Sequence, residues 1–328
     1  MILRKVLPLA GALLLGLPAW TQTPLPGAKP IARMQAVPQP YDQISFQREE
    51  KEIARYHFSP DLNRPFIFPL IGPSGRTVTR MGHPGDPYTH SHHNSVWIAL
   101  GKLNGVDFWS DQGSQERGRI VHHHVQQIDD GDDRAAVLSF ATWRSNSGKA
   151  LLNERRETAI RLLPNDEWLL IVNLRLEAAS GPVTLDKEQL GPIGVRMAKS
   201  ISVHFGGGRL RNSEGGEGEA QIFRRKARWV DYSGFVAPGA IDGAALMDHP
   251  TNPKHPAYFH VREDGWMGAL IAFDAPVVIT SGNPLQLRYG VYVHGGIPSR
   301  GEIDKQWQFF AEVGKQTRIT REPPLRNP

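Results

Sequence analysis

From about Gln43 onward the chain is written in short apolar or alternating runs, broken by Gly, Pro and Asn clusters at spacings of roughly 8–15 residues. This cadence is the strongest restriction on the fold. A strand shows its two faces within a few residues, whereas a helix needs a sustained 3.6-residue period, and no long stretch of the sequence carries one. Strands are expected over 53–58, 65–71, 95–100, 106–109, 119–128, 135–143, 152–162, 168–177, 201–205, 227–232, 257–261, 267–273 and 285–294. Residues 307–313 suit a last strand or a short helix equally. The 33 glycines and 26 prolines supply the turns that many short strands require. No repeat of propeller or solenoid period is visible, and no linker divides the chain. Residues 43–328 are therefore read as one all-β domain.

Ahead of it, Arg4 and Lys5 precede an apolar run over 6–17 and the small Ala19, the pattern of a secretory leader, taken as residues 1–23. Residues 24–42, rich in proline, read as a flexible lead-in. The mature chain is expected to be secreted or periplasmic and to have no membrane span, since no other stretch approaches the ~20 apolar residues that crossing needs. The chain has no cysteine, which excludes disulfides, thiolate metal sites, a Cys nucleophile and the lipobox Cys of an exported lipoprotein. A formal charge of +5, scattered along the chain, is too weak to argue for nucleic acid.

Histidine is the informative residue. Seven of the thirteen lie between His83 and His124, and His249, His255 and His260 share another short stretch. Imidazole titrates near physiological pH and binds metals when neutral, so crowding points to proton transfer or to a divalent metal, the only cofactor the pattern suggests. If His90–His93 is extended, His90 and His92 project to one side and His93 to the other. In a strand, His122 and His124 likewise share a face, which makes His90, His92, His122 and His124 the metal candidates. No H-E-x-x-H, G-x-S-x-G or phosphate-loop signature occurs.

A second dense segment, from Met247 to Pro256, carries three prolines that stiffen a loop holding Asp248, His249, Asn252 and His255. It suits either a preorganised site or a turn whose Asp248 and Asn252 cap backbone groups. Glu188 can serve as general acid or base and Arg196 as a substrate clamp, or the two can form a structural ion pair. Among the tryptophans, Trp109 is the first choice for a sugar-stacking platform.

Several ordered segments carry a resemblance: Asn104-Gly105-Val106-Asp107-Phe108-Trp109, Gly118-Arg119-Ile120-Val121-His122, Gly194-Val195-Arg196-Met197-Ala198, Asp248-His249-Pro250-x-Asn252-Pro253-x-His255-Pro256 and Leu287-Arg288-Tyr289-x-Val291-Tyr292-Val293-His294. Together, from about Arg64 to His294, they resemble a poorly characterised exported bacterial family labelled "methane oxygenase PmoA-like". The resemblance implies a large antiparallel β-sandwich similar to the mutarotase-type sugar-binding supersandwich, in a carbohydrate setting. The family's Asp before its His-x-His-His run is replaced here by Thr89.

The reading that follows is an exported enzyme acting on a sugar or glycoside as lyase, hydrolase or epimerase. His92, His93, His122 and His249 would exchange protons and Glu188 or Asp248 would supply the carboxylate. His90, Trp109, Arg196, Asn252, His255 and His260 would hold the small-molecule carbohydrate. A non-enzymatic carbohydrate-binding protein and a His-ligated metal enzyme are the alternatives. The leading reading requires His92, His93, His122 and His249 to converge on one hollow.

Overall fold

A computed structural model of the chain describes residues 30–82, 90–111 and 116–313. The expected leader and His83 lie outside the described residues. The fold is all-β, built from three antiparallel sheets. The nine-stranded sheet runs in the order Met34–Gln39, Gln43–Arg48, Lys51–His57, Phe66–Leu70, Val96–Ile98, Pro192–Arg196, Trp266–Leu270, Tyr258–Arg262 and Arg225–Lys226. The eight-stranded sheet runs in the order Arg209–Asn212, Trp229–Ala237, Ala240–Asp248, Leu285–Gly295, Trp168–Ala178, Ala150–Leu162, Arg134–Ser145 and Gly118–Asp129. A small sheet joins Val277–Ile279, Val183–Leu185, Lys102–Leu103 and Val106–Asp107.

Period-two alternation sorts the side chains into layers. Along Trp168–Ala178, Leu170, Val172, Leu174 and Leu176 enter the main core between the large sheets, while Leu169 and Ile171 face the other way. That outer face is covered by the helix Arg300–Glu312, whose Ile303 and Phe310 lie one above the other two turns apart and pack on Leu169, Ile171 and Tyr292. The region 307–313 is thus mostly helical. Ser299 and Glu302 start the helix with a reciprocal capping box, a signal placed just upstream of the stretch that the apolar pattern left undecided.

Two expectations fail. Met34–Gln39, inside the proline-rich stretch read as a flexible lead-in, is a strand paired along its whole length with Gln43–Arg48. Pro38 is tolerated because this strand is at the edge of its sheet. The stretch 201–205, expected as a strand, belongs to a 3-10 turn, Lys199–Ile201, and a short helix, Val203–Gly206. Ser202 caps that helix by accepting from the Phe205 N–H, and Gly207 ends it at φ 66°, a conformation that favours glycine.

Candidate active site

The site grows from the outer face of the nine-stranded sheet. In its central strands Val96, Ile98, Ile193, Val195, Met267, Ala269, Phe259 and Val261 point into the main core, so their neighbours point outward. One rung of these neighbours reads Trp97, Gly194, Gly268, His260 across four strands. The next reads Arg196, Trp266, Arg262. The two glycines make a shallow floor on which the indoles lie. A Cβ on Gly194 would stand 2.5 Å from Cζ2 of Trp97. Trp97, Trp109 and Trp266 form an aromatic cluster with Phe66 and Ala99.

On this floor sits the histidine turn. His93 N–H donates to the His90 carbonyl at 3.1 Å, so the segment is a tight turn and not extended as expected. The stacked pair is therefore His90 with His93, 4.4 Å apart at 14°, while His92 stands edge-on to His93 at 4.6 Å. His93, 2 % exposed, also stacks on Trp97 at 5.0 Å and on Trp266 at 5.4 Å. These groups border a cavity of about 660 Å³ lined by His90, His92, His93, Trp109, Ser110, Leu190, His204, His260 and Trp266, with Glu219, Arg262, Glu263 and Asp264 as its charged members.

The charged wall comes from the Tyr258–Arg262 to Trp266–Leu270 hairpin, whose three-residue turn is Glu263-Asp264-Gly265. Gly265 has φ +98°, which is why glycine stands there. Arg196, fully buried, grips Asp264 with two bonds of 2.7 and 3.0 Å. His90 Nδ1 lies 3.7 Å from the same carboxylate. Glu219, on the short helix Gly218–Ile222, accepts from Arg262 at 3.0 Å and from the Glu263 N–H at 2.9 Å. The short helix at Val203–Gly206 brings His204 in, its N–H donating to the Glu263 carbonyl at 2.8 Å.

Burial dominates the electrostatics. It pushes the His92 and His260 imidazoles down to about 4, helped at His92 by Arg64 and at His260 by Arg262 and Arg224. His93 falls well below its ordinary value, first through burial and then through His92 and Arg196. All three are uncharged at neutral pH. His260 Nδ1 lies 2.9 Å from the Gln189 carbonyl, which only accepts, so Nδ1 carries the proton and Nε2 the lone pair. That Nε2 is buried and has no hydrogen-bond partner among the described residues.

The expected convergence of His92, His93, His122 and His249 fails: only His92 and His93 meet, in company with His90, Trp109 and His260 and with Arg196 directly behind the wall. The others stand elsewhere. A β-bulge between His122 and His124 breaks the alternation that would have put them on one face. His122 packs inward on Tyr56 and Phe58, whereas His124 stacks outside on Phe140 and His123 bonds Thr142. The metal set of His90, His92, His122 and His124 is thereby divided. Among the described residues, no group of three His, Asp or Glu side chains has a geometry that could hold a metal ion.

The proline-rich loop is bonded to itself and to the Arg300–Glu312 helix. Asp248 accepts from Asn252 at 2.7 Å, from His255 at 2.6 Å and from the Ala257 N–H at 2.9 Å. Asn252 closes on both backbone groups of Arg288, at 2.8 and 2.7 Å. His255 stacks on Trp307 and His249 lies edge-on to Phe310. The strand leading to this loop, Ala240–Asp248, is separated by four others from Gly118–Asp129, which carries His122. At the usual ~4.8 Å per strand that is about 24 Å, so His122 and His249 share no hollow. Glu188 makes no pair with Arg196. It accepts from the Gly101 and Lys102 N–H groups at 2.7 and 3.2 Å, and burial lifts it to about 7.

Trp266, Asp264, Glu263, Glu219, Arg262, His204, Leu190 and Ser110 were not singled out from the sequence. A signal existed for the first three: Glu263-Asp264-Gly265 between two apolar runs is a three-residue hairpin turn beside His260.

Residues 43–308 match a family of unknown function, DUF6807, and the chain belongs to it. It is also 27 % identical over 146 residues to a protein named peptidyl-tRNA hydrolase from Paracoccus denitrificans (strain Pd 1222), a match covering 44 % of this chain and 58 % of that protein. The chain thus spans little more than half the length of this curated relative. A solved structure of a TPR-domain containing protein from Parabacteroides distasonis ATCC 8503 aligns over 89 % of this chain and 52 % of its own, with 13 % identity and a TM-score of 0.29. No helix among the described residues is long and apolar enough to cross a membrane.

Proposed function

We propose that this member of the DUF6807 family is an exported carbohydrate-active enzyme. It holds a sugar against Trp109 and Trp266 and moves a proton through His260, with His92 and His93 beside it. The observation that carries this reading is the disposition of His260: its ring lines the cavity, one nitrogen is anchored on a carbonyl, and the other, buried, keeps a lone pair that no hydrogen bond among the described residues engages. Once a small rotation turns this Nε2 to the cavity, the imidazole accepts a proton from a sugar hydroxyl or an acidic ring C–H without first losing one of its own. Negative charge developing on the substrate would raise its affinity for that proton during the reaction. Asp264 takes the carboxylate role first given to Glu188 or Asp248, because it alone of the three lines the cavity. The parts of Trp109 and Trp266 that border the cavity, on side chains 2 % and 5 % exposed, give it an apolar wall for sugar C–H groups, and lyase, hydrolase and epimerase chemistry all draw on this set.

The carbohydrate setting and the export rest on the resemblance to the PmoA-like family and on the leader expected from the sequence of residues 1–23. The test is a panel of mono- and oligosaccharides read by thermal shift, followed by product analysis, since a ligand that binds only the native state raises its midpoint. His260→Gln is expected to bind the stabilising sugar and to turn it over at least about 100-fold more slowly. A sugar that binds yet yields no product over hours, at several pH values, would make the protein a binding module.

A further inference from the structure

The cavity's charged groups are unevenly engaged, and this bears on which sugars it admits. We infer that the pocket selects by charge, accepting neutral and amine-bearing sugars and turning away those that carry a carboxylate or a sulfate. This inference rests on the sugar reading above.

The cations around the cavity are already committed. Arg196 is wholly buried with both terminal nitrogens on Asp264. Arg262 is bonded to Glu219 and its guanidinium covers the Phe223 ring at 4.1 Å. Arg64, 2 % exposed, spends one terminal nitrogen on Asp111 at 2.9 Å and the other on the His92 carbonyl at 3.0 Å. Arg224 has no carboxylate partner, but it donates to Gln189 and does not line the cavity. The imidazoles of His92, His93 and His260 bring no charge at neutral pH.

The anions are less spent. Glu263 lines the cavity, is exposed, and pairs with no cation among the described residues. Asp264 and Glu219 are each matched by one guanidinium. A substrate anion entering here loses water and meets no uncommitted Lys or Arg among the described residues that line the cavity, while Glu263 repels it. A protonated amine finds Glu263 and the outer lone pairs of Asp264. Near a protein surface opposite charges attract and like charges repel at contact distances, less so in salt, so a tenfold discrimination in affinity is expected.

The experiment uses the full chain and three configurational series: glucose, galactose and mannose, each beside its amino sugar and its uronate. Affinities are read by thermal shift and calorimetry at low and high salt. In any series that binds, the expected order is amino sugar, then neutral sugar, then uronate, with the uronate at least tenfold weaker than the neutral sugar and the gap closing in high salt. Glu263→Gln, at an exposed position, should remove most of the amino-sugar advantage. A uronate binding as tightly as its neutral counterpart would overturn the charge selection and leave the sugar reading standing. Failure of all nine sugars to bind or react would overturn the sugar reading itself, and the selection with it.

Discussion

Arg196 and Asp264 meet as a two-pronged ion pair in which the guanidinium is entirely buried and the carboxylate forms part of the cavity wall, 3.7 Å from His90. The pair fixes the hairpin turn to the sheet face behind it. The two partners are unequal: Asp264 is partly open to solvent and Arg196 is not.

Asp264→Ala should therefore cost about 3–5 kcal/mol in urea unfolding, because it takes a carboxylate and two charge-assisted hydrogen bonds away from a fully buried guanidinium. Replacing both members together, as Arg196→Met with Asp264→Leu, is expected to cost less than that single change. A single substitution within 1 kcal/mol of the parent would show that the pair does not hold the wall.

Acid should weaken the fold through the site. His92, His93 and His260 have folded values below the ordinary 6.5, the first and last at about 4, so between these limits the unfolded chain binds more protons than the native one. Their contribution is complete above pH 6.5 and is lost as pH falls towards 4. The thermal midpoint should drop over that window, and His260→Gln should flatten the drop measurably. An unchanged profile in that variant would mean that its imidazole is not held neutral.

Gly194→Ala tests the floor. The new Cβ would come 2.5 Å from the Trp97 indole, wedged between rigid groups on a central strand, and about 1–3 kcal/mol of stability should be lost. Indole fluorescence should change with it, since Trp97 must shift.

Trp266→Leu removes one aromatic wall while keeping an apolar filler. Sugar affinity is expected to fall at least tenfold, a loss on the order of 1.4 kcal/mol, with cooperative unfolding retained. Equal affinity in the variant would move the sugar platform elsewhere.

The proline-rich loop should behave as structure. Asp248→Ala strands the Asn252, His255 and Ala257 donors and should cost about 2–3 kcal/mol. His249→Ala should leave sugar affinity and turnover within about twofold. A hundredfold loss of turnover in His249→Ala would return that residue to the site.

Much of the fold was legible because strand signals are local. The runs expected at 152–162 and 168–177 are the strands Ala150–Leu162 and Trp168–Ala178, long runs bounded by turn residues. Pro192–Arg196 and Ala240–Asp248 were missed. Both are buried on both faces, so they carry glycines and small residues in place of alternation and read locally as turns. The His90–His93 turn was missed for a related reason, since neighbouring histidines read alike in a turn or a strand until one backbone hydrogen bond chooses.

What the amino-acid sequence determined alone was the β class, the turn-rich layout and a surplus of imidazoles, since these follow from period, composition and residue chemistry. Which imidazoles meet was decided only in three dimensions. Trp97, Gly194, Gly268 and His260 share a rung because four strands from distant parts of the chain pair in one register, and a single bulge turns His122 and His124 apart. Register and sheet order are set by the burial of whole faces against one another, an energy summed over the domain and written in no single segment.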